Sequence, residues 1–129
     1  MKSSLKKLVS VMLAVICIFT ISVEVFAGTL NFHNSGTNYV TIKGDNSSDW
    51  WGDEYEVWVY GTGNSISISK SKNCTVKTKY YSTSGSWKIT IKVKAHSFGK
   101  VLVKINSGST DTSVETSDNE VSLWKGNCY

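Results

Sequence analysis

The chain contains no proline and no arginine. Without proline, no turn is fixed covalently, so chain reversals must rest on Gly, Asn, Asp and Ser. Without arginine, the chain lacks the planar fork that reads phosphate and guanine bidentately, which argues against a nucleic-acid partner. Histidine is scarce as well: His33 and His96 are the only two. Neither belongs to a Ser, Cys or Asp motif that would mark a nucleophile and its base, so no catalytic residues are expected and the chain is not read as an enzyme. A carboxylate pair for glycoside hydrolysis can be drawn from Asp49, Asp53, Glu54 and Glu56, but any loop this acidic offers one. No cofactor motif is present.

Long apolar runs are also missing, with one short exception. Lys2, Lys6 and Lys7 precede an apolar stretch from Leu8 to Val23, and Val25-Phe26-Ala27 follows as a small-residue site. This order predicts a secretory signal peptide over 1–27, cut after Ala27; the stretch falls short of the roughly 20 residues that span a bilayer. The remaining 28–129 is the size of one domain, expected to be extracellular. The cut removes three lysines and one glutamate, halving the formal net charge of +4. Cysteine is sparse too. Cys74 and Cys128 are the two that follow the expected cut, and an even count in an exported chain predicts one disulfide between them, worth roughly 4 kcal/mol. The absence of Arg and Pro beside many Ser, Thr, Asn and Lys suggests a bacterial source.

What the chain does have is alternation with period two. Segments rich in Val, Ile, Thr, Tyr and Trp recur about every dozen residues, and no helical period competes. Strands are predicted at Thr29–His33, Tyr39–Lys43, Tyr55–Tyr60, Ser65–Ser69, Cys74–Tyr81, Trp87–Ala95, Lys100–Asn106 and Val121–Lys125. Turns are expected at 34–36, 61–64, 82–86 and at Phe98-Gly99. Seven or eight antiparallel strands in so short a domain predict an all-β fold in which two sheets face each other, a β-sandwich, with a small β-barrel as the alternative. The run from Ile89 to Ile105, a strand that leads into Ala95, a Gly-containing turn and a second alternating strand, resembles the last hairpins of bacterial immunoglobulin-like domains. That resemblance implies an immunoglobulin-like sandwich.

The charges are segregated. Asp45, Asp49, Asp53, Glu54 and Glu56 come first, then nine lysines from Lys70 to Lys104 without an acid among them, then Asp111, Glu115, Asp118 and Glu120. Lys77, Lys79, Lys88, Lys92, Lys94, Lys100 and Lys104 fall on outward faces of three successive strands, and a meander would gather them on one surface. Such a face suits an anionic envelope polymer, a sulfated glycan or anionic headgroups. The acidic run 44–56 gathers hard oxygen donors of the kind calcium prefers, but it lacks EF-hand spacing, and a solvated acidic loop is the default, with no metal assigned.

Trp50 and Trp51 lie in that loop. On the next strand Tyr55, Val57 and Val59 share one face, leaving Trp58 and Tyr60 on the other with Glu54 and Glu56. A Trp in a central strand is often a core anchor, so the position of Trp58 stays open. If the rings are exposed, Trp50, Trp51, Trp58 and Tyr60, bordered by Asp49, Asp53 and Glu54, form a ligand-binding platform for sugar rings. The sequence therefore predicts a secreted, non-catalytic binding or adhesion module for carbohydrate or a cell-envelope polymer. Two other readings stand beside it: a surface domain for protein–protein interaction, and a small toxin or bacteriocin-like effector acting on membranes. A membrane is disfavoured as a partner, and no nucleic-acid partner is expected.

Overall fold

The alternation resolves into ten strands. The computed structural model describes residues 24–26 and 28–129, so the expected signal peptide, apart from Glu24–Phe26, lies outside the described residues. The strands are β1 Glu24–Phe26, β2 Thr29–Phe32, β3 Gly36–Asn46, β4 Asp53–Tyr60, β5 Ser65–Lys72, β6 Cys74–Tyr81, β7 Ser86–Val93, β8 Ser97–Ser107, β9 Thr112–Glu115 and β10 Val121–Lys125. They form two antiparallel sheets, A in the order β1-β10-β3-β8-β5 and B in the order β2-β9-β4-β7-β6. The sheets face each other as a β-sandwich and do not close into the alternative barrel.

The core lies between them, and parity decides its members. Val40 and Ile42 of β3, Val101, Val103 and Ile105 of β8, and Val121 and Leu123 of β10 face inward from sheet A. Tyr55, Val57 and Val59 of β4, with Ile89, Ile91 and Val93 of β7, meet them from sheet B. These are the apolar positions the sequence pattern singles out. Their burial is the main favourable term, at about 25 cal/mol per Å² of apolar surface.

The structure corrects several expectations. Residues β1 and β9 occupy are not among the predicted strands, and β3 and β8 are longer than expected. Phe98-Gly99 is not a turn: both residues pair within β8, opposite Asp45 and Gly44. The chain reverses just before, where His96 adopts a left-handed φ of 53°. The reason is steric. Gly99 and Gly44 lie side by side on the inner face of sheet A, and a Cβ on Gly99 would stand 2.6 Å from Val93 Cγ2. The glycine is thus needed for a close approach of the two sheets.

The lysine face is also divided. Between β7 and β8 the chain passes from sheet B to sheet A, so Lys77, Lys79, Lys88 and Lys92 line the outside of one sheet while Lys100 and Lys104 belong to the other. A meander would have kept them together; a sandwich crossover separates them.

The expected Cys74–Cys128 bridge is not formed, because Cys74 is free. Cys74 begins β6 and packs against the core, its thiol facing the carbonyl of Lys100 at 3.8 Å. Cys128 follows β10 on the far side of sheet A, its N–H donating to Thr41 Oγ1 at 2.8 Å on the outer face of β3. A β-sheet stands between the two residues. Burial raises the thiol pKa of Cys74, which suppresses the reactive thiolate. In the folded protein, iodoacetamide at neutral pH should therefore leave Cys74 unmodified over a period in which it is fully alkylated in urea, as read by peptide mass.

Candidate functional site

The outer face of sheet B carries the largest assembly of aromatic side chains outside the core. With Tyr55, Val57 and Val59 facing in, β4 must present Glu54, Glu56, Trp58 and Tyr60 outward. The register then supplies the neighbours. Trp58 pairs with Glu115 of β9 on one side and Lys88 of β7 on the other, and Lys88 in turn pairs with Lys79 of β6. Tyr60 pairs with Ser113. Side chains directly opposite across strands are about 5 Å apart, so this row is one continuous surface.

Three rings meet there. Trp58 and Tyr60 lie nearly parallel, at 10° with centroids 6.1 Å apart, and Tyr81 from the end of β6 leans on Trp58 at 5.3 Å. Lys79 sits 5.0 Å from the Tyr81 ring, and Lys88 sits 5.9 Å from the Trp58 ring, the outer limit of a cation–π contact. Lys88 also reaches Glu56 at 3.8 Å. Burial, and then the carboxylate of Glu115, raise the pKa of Tyr60, so its hydroxyl stays protonated at physiological pH and remains a donor. The result is an apolar strip with ammonium donors on one flank and carboxylate acceptors, Glu56 and Glu115, at its borders.

Trp50 and Trp51 do not join this strip. They occupy the 47–52 segment before β4, whereas Trp58 and Tyr60 end that strand, and they are 78% and 75% exposed. Trp50 instead packs edge-on against His96, centroids 4.9 Å apart at 82°. The predicted platform thus resolves into two separate places. Of its acidic border, Glu54 lies outward on β4 opposite Lys92, while the Asp53 carboxylate accepts the N–H of Glu54 at 3.0 Å. Asp49 contributes main-chain atoms, its carbonyl accepting the N–H of His96 at 3.1 Å. Nearby, Asp45 accepts from both the N–H and the hydroxyl of Ser47, which holds its carboxyl below the usual carboxylate range. Among the described residues no three of His, Cys, Asp and Glu gather as a metal site.

Sequence reasoning missed Tyr81, Lys79 and Lys88 as neighbours of Trp58. Parity along Cys74–Tyr81 puts Tyr81 on the outer face, but only the pairing of β4 with β7 and of β7 with β6 brings it to Trp58. It also missed Asn46, which the sequence places in an acidic loop. Asn46 is buried, and its amide donates to the carbonyls of Trp51, Val93 and Lys94 at 2.9, 3.2 and 3.1 Å. It thereby ties the Trp50–Trp51 segment to the end of β7. No family model, curated protein or solved structure matches this chain.

Proposed function

We propose that the protein is an exported, non-catalytic module that binds carbohydrate on the outer face of sheet B. The observation that carries this reading is the cluster of half-buried rings, Trp58, Tyr60 and Tyr81, on the outer strand surface. A pyranose offers an apolar C–H face to such rings, and aromatic side chains supply large contact area at low entropic cost. Its hydroxyls then find acceptors in Glu56 and Glu115 and donors in Lys79, Lys88 and the Tyr60 hydroxyl. Lys88 is held over Trp58 only at the limit of contact, and its flexible stem lets it yield to a sugar and bond from the side. Because the strip pairs cations with carboxylates, neutral glycans suit it better than polyanions.

The test is a panel of neutral polysaccharides measured against the wild type, Trp58→Ala and Trp51→Ala, with melting temperatures recorded for each. Trp58→Ala should weaken binding at least tenfold, equivalent to about 1.4 kcal/mol, with little change in melting temperature. Affinity should vary little with salt, since stacking is not screened. A folded Trp58→Ala protein that binds as tightly as the wild type overturns the reading. Loss on Trp51→Ala alone would move the site to the 47–52 loop, and leakage of vesicles without glycan binding would favour a membrane effector.

A further inference from the structure

The outer face of sheet A holds a second arrangement, independent of the aromatic strip. Lys43 of β3, Lys100 of β8 and Lys72 of β5 stand in one row across three adjacent strands, Lys100 pairing with both neighbours. Like charges directly opposite one another destabilise a sheet, so the row opposes folding. Among the described residues no Asp or Glu forms an ion pair with the row; the ion pair formed is Lys88 with Glu56, on the other sheet. The nearest acid on β3, Asp45, accepts two hydrogen bonds from Ser47, and its attraction to Lys43 is the smallest of the influences on its carboxyl. Lys100 donates to the main-chain oxygen of Tyr129, and the Tyr129 ring lies 5.1 Å from its ammonium and 5.4 Å from that of Lys70. Lys43 lies 5.5 Å from the ring of Phe98. Burial, then Lys43 and Lys72, lower the pKa of Lys100.

The row borders an open hollow of about 460 Å³ lined by Lys43, Lys72, Lys100, Asn73, His96 and Phe98. Two of these residues, Asn73 and His96, have left-handed φ values of 56° and 53°, and no other described residue except glycine does so. Each closes a reversal, Asn73 between β5 and β6 and His96 between β7 and β8. The Asn73 side chain donates to the Phe98 carbonyl at 3.3 Å, and its own carbonyl accepts the N–H of Lys94 at 2.9 Å. Asn73 is thus tied to β8 and to the end of β7, while the N–H of His96 donates to the carbonyl of Asp49.

We propose that this hollow binds a tetrahedral oxyanion, a phosphate or sulfate ester, with Lys43, Lys72 and Lys100 as its cationic floor. The bound dianion relieves the repulsion within the row. Lysines from three adjacent strands line the hollow that receives its oxygens, while His96 stands at the rim against Trp50. A repeating ester polymer crosses the hollow along the outside of sheet A toward Lys70. The same group occurs in a soluble polymer and in a lipid headgroup, and the experiment separates them.

Wild type, Lys43→Gln and Lys72→Gln, all of which keep the Lys100 contact with Tyr129, would be titrated with inorganic phosphate, poly(glycerol phosphate), dextran sulfate, and vesicles of phosphatidylglycerol or phosphatidylcholine. Lys77→Gln serves as control on the other sheet. Amide shifts should localise to Lys43, Lys72, His96 and Lys100 on adding phosphate. Each row variant should weaken polymer binding at least tenfold, Lys77→Gln less than twofold, and wild-type affinity should fall steeply with salt. Lys72→Gln should also melt no lower than the wild type, since it removes a like-charge contact. Preference for the soluble polymers identifies a polymer ligand; preference for phosphatidylglycerol over phosphatidylcholine identifies a headgroup. Equal losses in Lys77→Gln, unchanged binding in the row variants, or no phosphate-induced shifts overturn the proposal. Trp58→Ala should bind these anions normally, so failure of the carbohydrate reading and failure of this one are distinguishable.

Discussion

Replacing Asn46 with Ala should cost about 3 kcal/mol of stability. The Asn46 amide is enclosed and serves the carbonyls of Trp51, Val93 and Lys94. The alanine variant leaves those acceptors facing a small void with no donor, and a buried polar group without a partner costs roughly 1–3 kcal/mol. For a domain of this size that corresponds to a fall in melting temperature of roughly 12–20 °C. Asn46→Asp should be worse still, since a carboxylate there would accept where it must donate. Thermal unfolding followed by circular dichroism checks both, and hydrogen exchange should show faster opening at 47–52 and 94–96 than in the rest of the chain. A loss below about 1 kcal/mol would mean that the three carbonyls find other donors.

Gly99→Val should be as damaging, by overpacking instead of by loss. Gly44 and Gly99 form a notch on the inner face of sheet A, into which Val93 and Tyr55 of sheet B project: a Cβ on Gly44 would stand 3.0 Å from Val93 Cγ2, and one on Gly99 2.6 Å from the same atom. Extra volume in a packed core typically costs 1–3 kcal/mol. Valine brings three carbons, so about 3 kcal/mol is expected. Gly99→Ala should cost less, and adding Val93→Ala should return at least about 1 kcal/mol relative to the sum of the single changes. Chemical denaturation of the four proteins closes this cycle. Strict additivity would show that Val93 is not what the glycine accommodates.

Most of the fold is visible in residues whose role is set by parity. Ile89, Ile91, Val93, Val101, Val103 and Ile105 share one parity along their strands and are buried in the core, and the interruption is Leu102, which is buried as well although it lies on the other parity. What parity does not carry is partnership. The passage from β7 to β8 looks in sequence like one more hairpin, yet the chain changes sheets there, and this single step both divides the lysines and places Cys74 and Cys128 on opposite sides of sheet A. Thr112–Glu115 is a strand only because β2 and β4 flank it; four residues alone show no period. For the candidate site, outward Trp58 and Tyr60 follow from the β4 pattern, whereas Tyr81, Lys79 and Lys88 reach them through register. Adjacent Trp50 and Trp51 are conspicuous in sequence, but a loop has no periodicity from which to read its direction. Asn46 and Asn64 share a further difficulty. Both look like turn residues, and both are buried: Asn64 accepts from Thr112 Oγ1 at 3.2 Å and from Gly108 N at 3.3 Å. Composition cannot distinguish a polar group in water from one enclosed with its partners.

The order in which the strands enter the two sheets bears on how the chain acquires its structure. Sheet A takes its members from β1, β3, β5, β8 and β10, and sheet B from the strands between. The central pair, β3 with β8, joins segments separated by four other strands, and β3 receives its other neighbour, β10, from the last residues of the chain. Non-local pairing of this kind places folding in the millisecond-to-second range. During synthesis the inward residues Val40 and Ile42 emerge long before Val101, Val103 and Leu123 arrive to cover them. For that interval an eleven-residue strand is bare on both edges, open to pairing with another copy. Sheet A is therefore complete only once the C-terminal strand β10 has appeared to cover the second edge of β3.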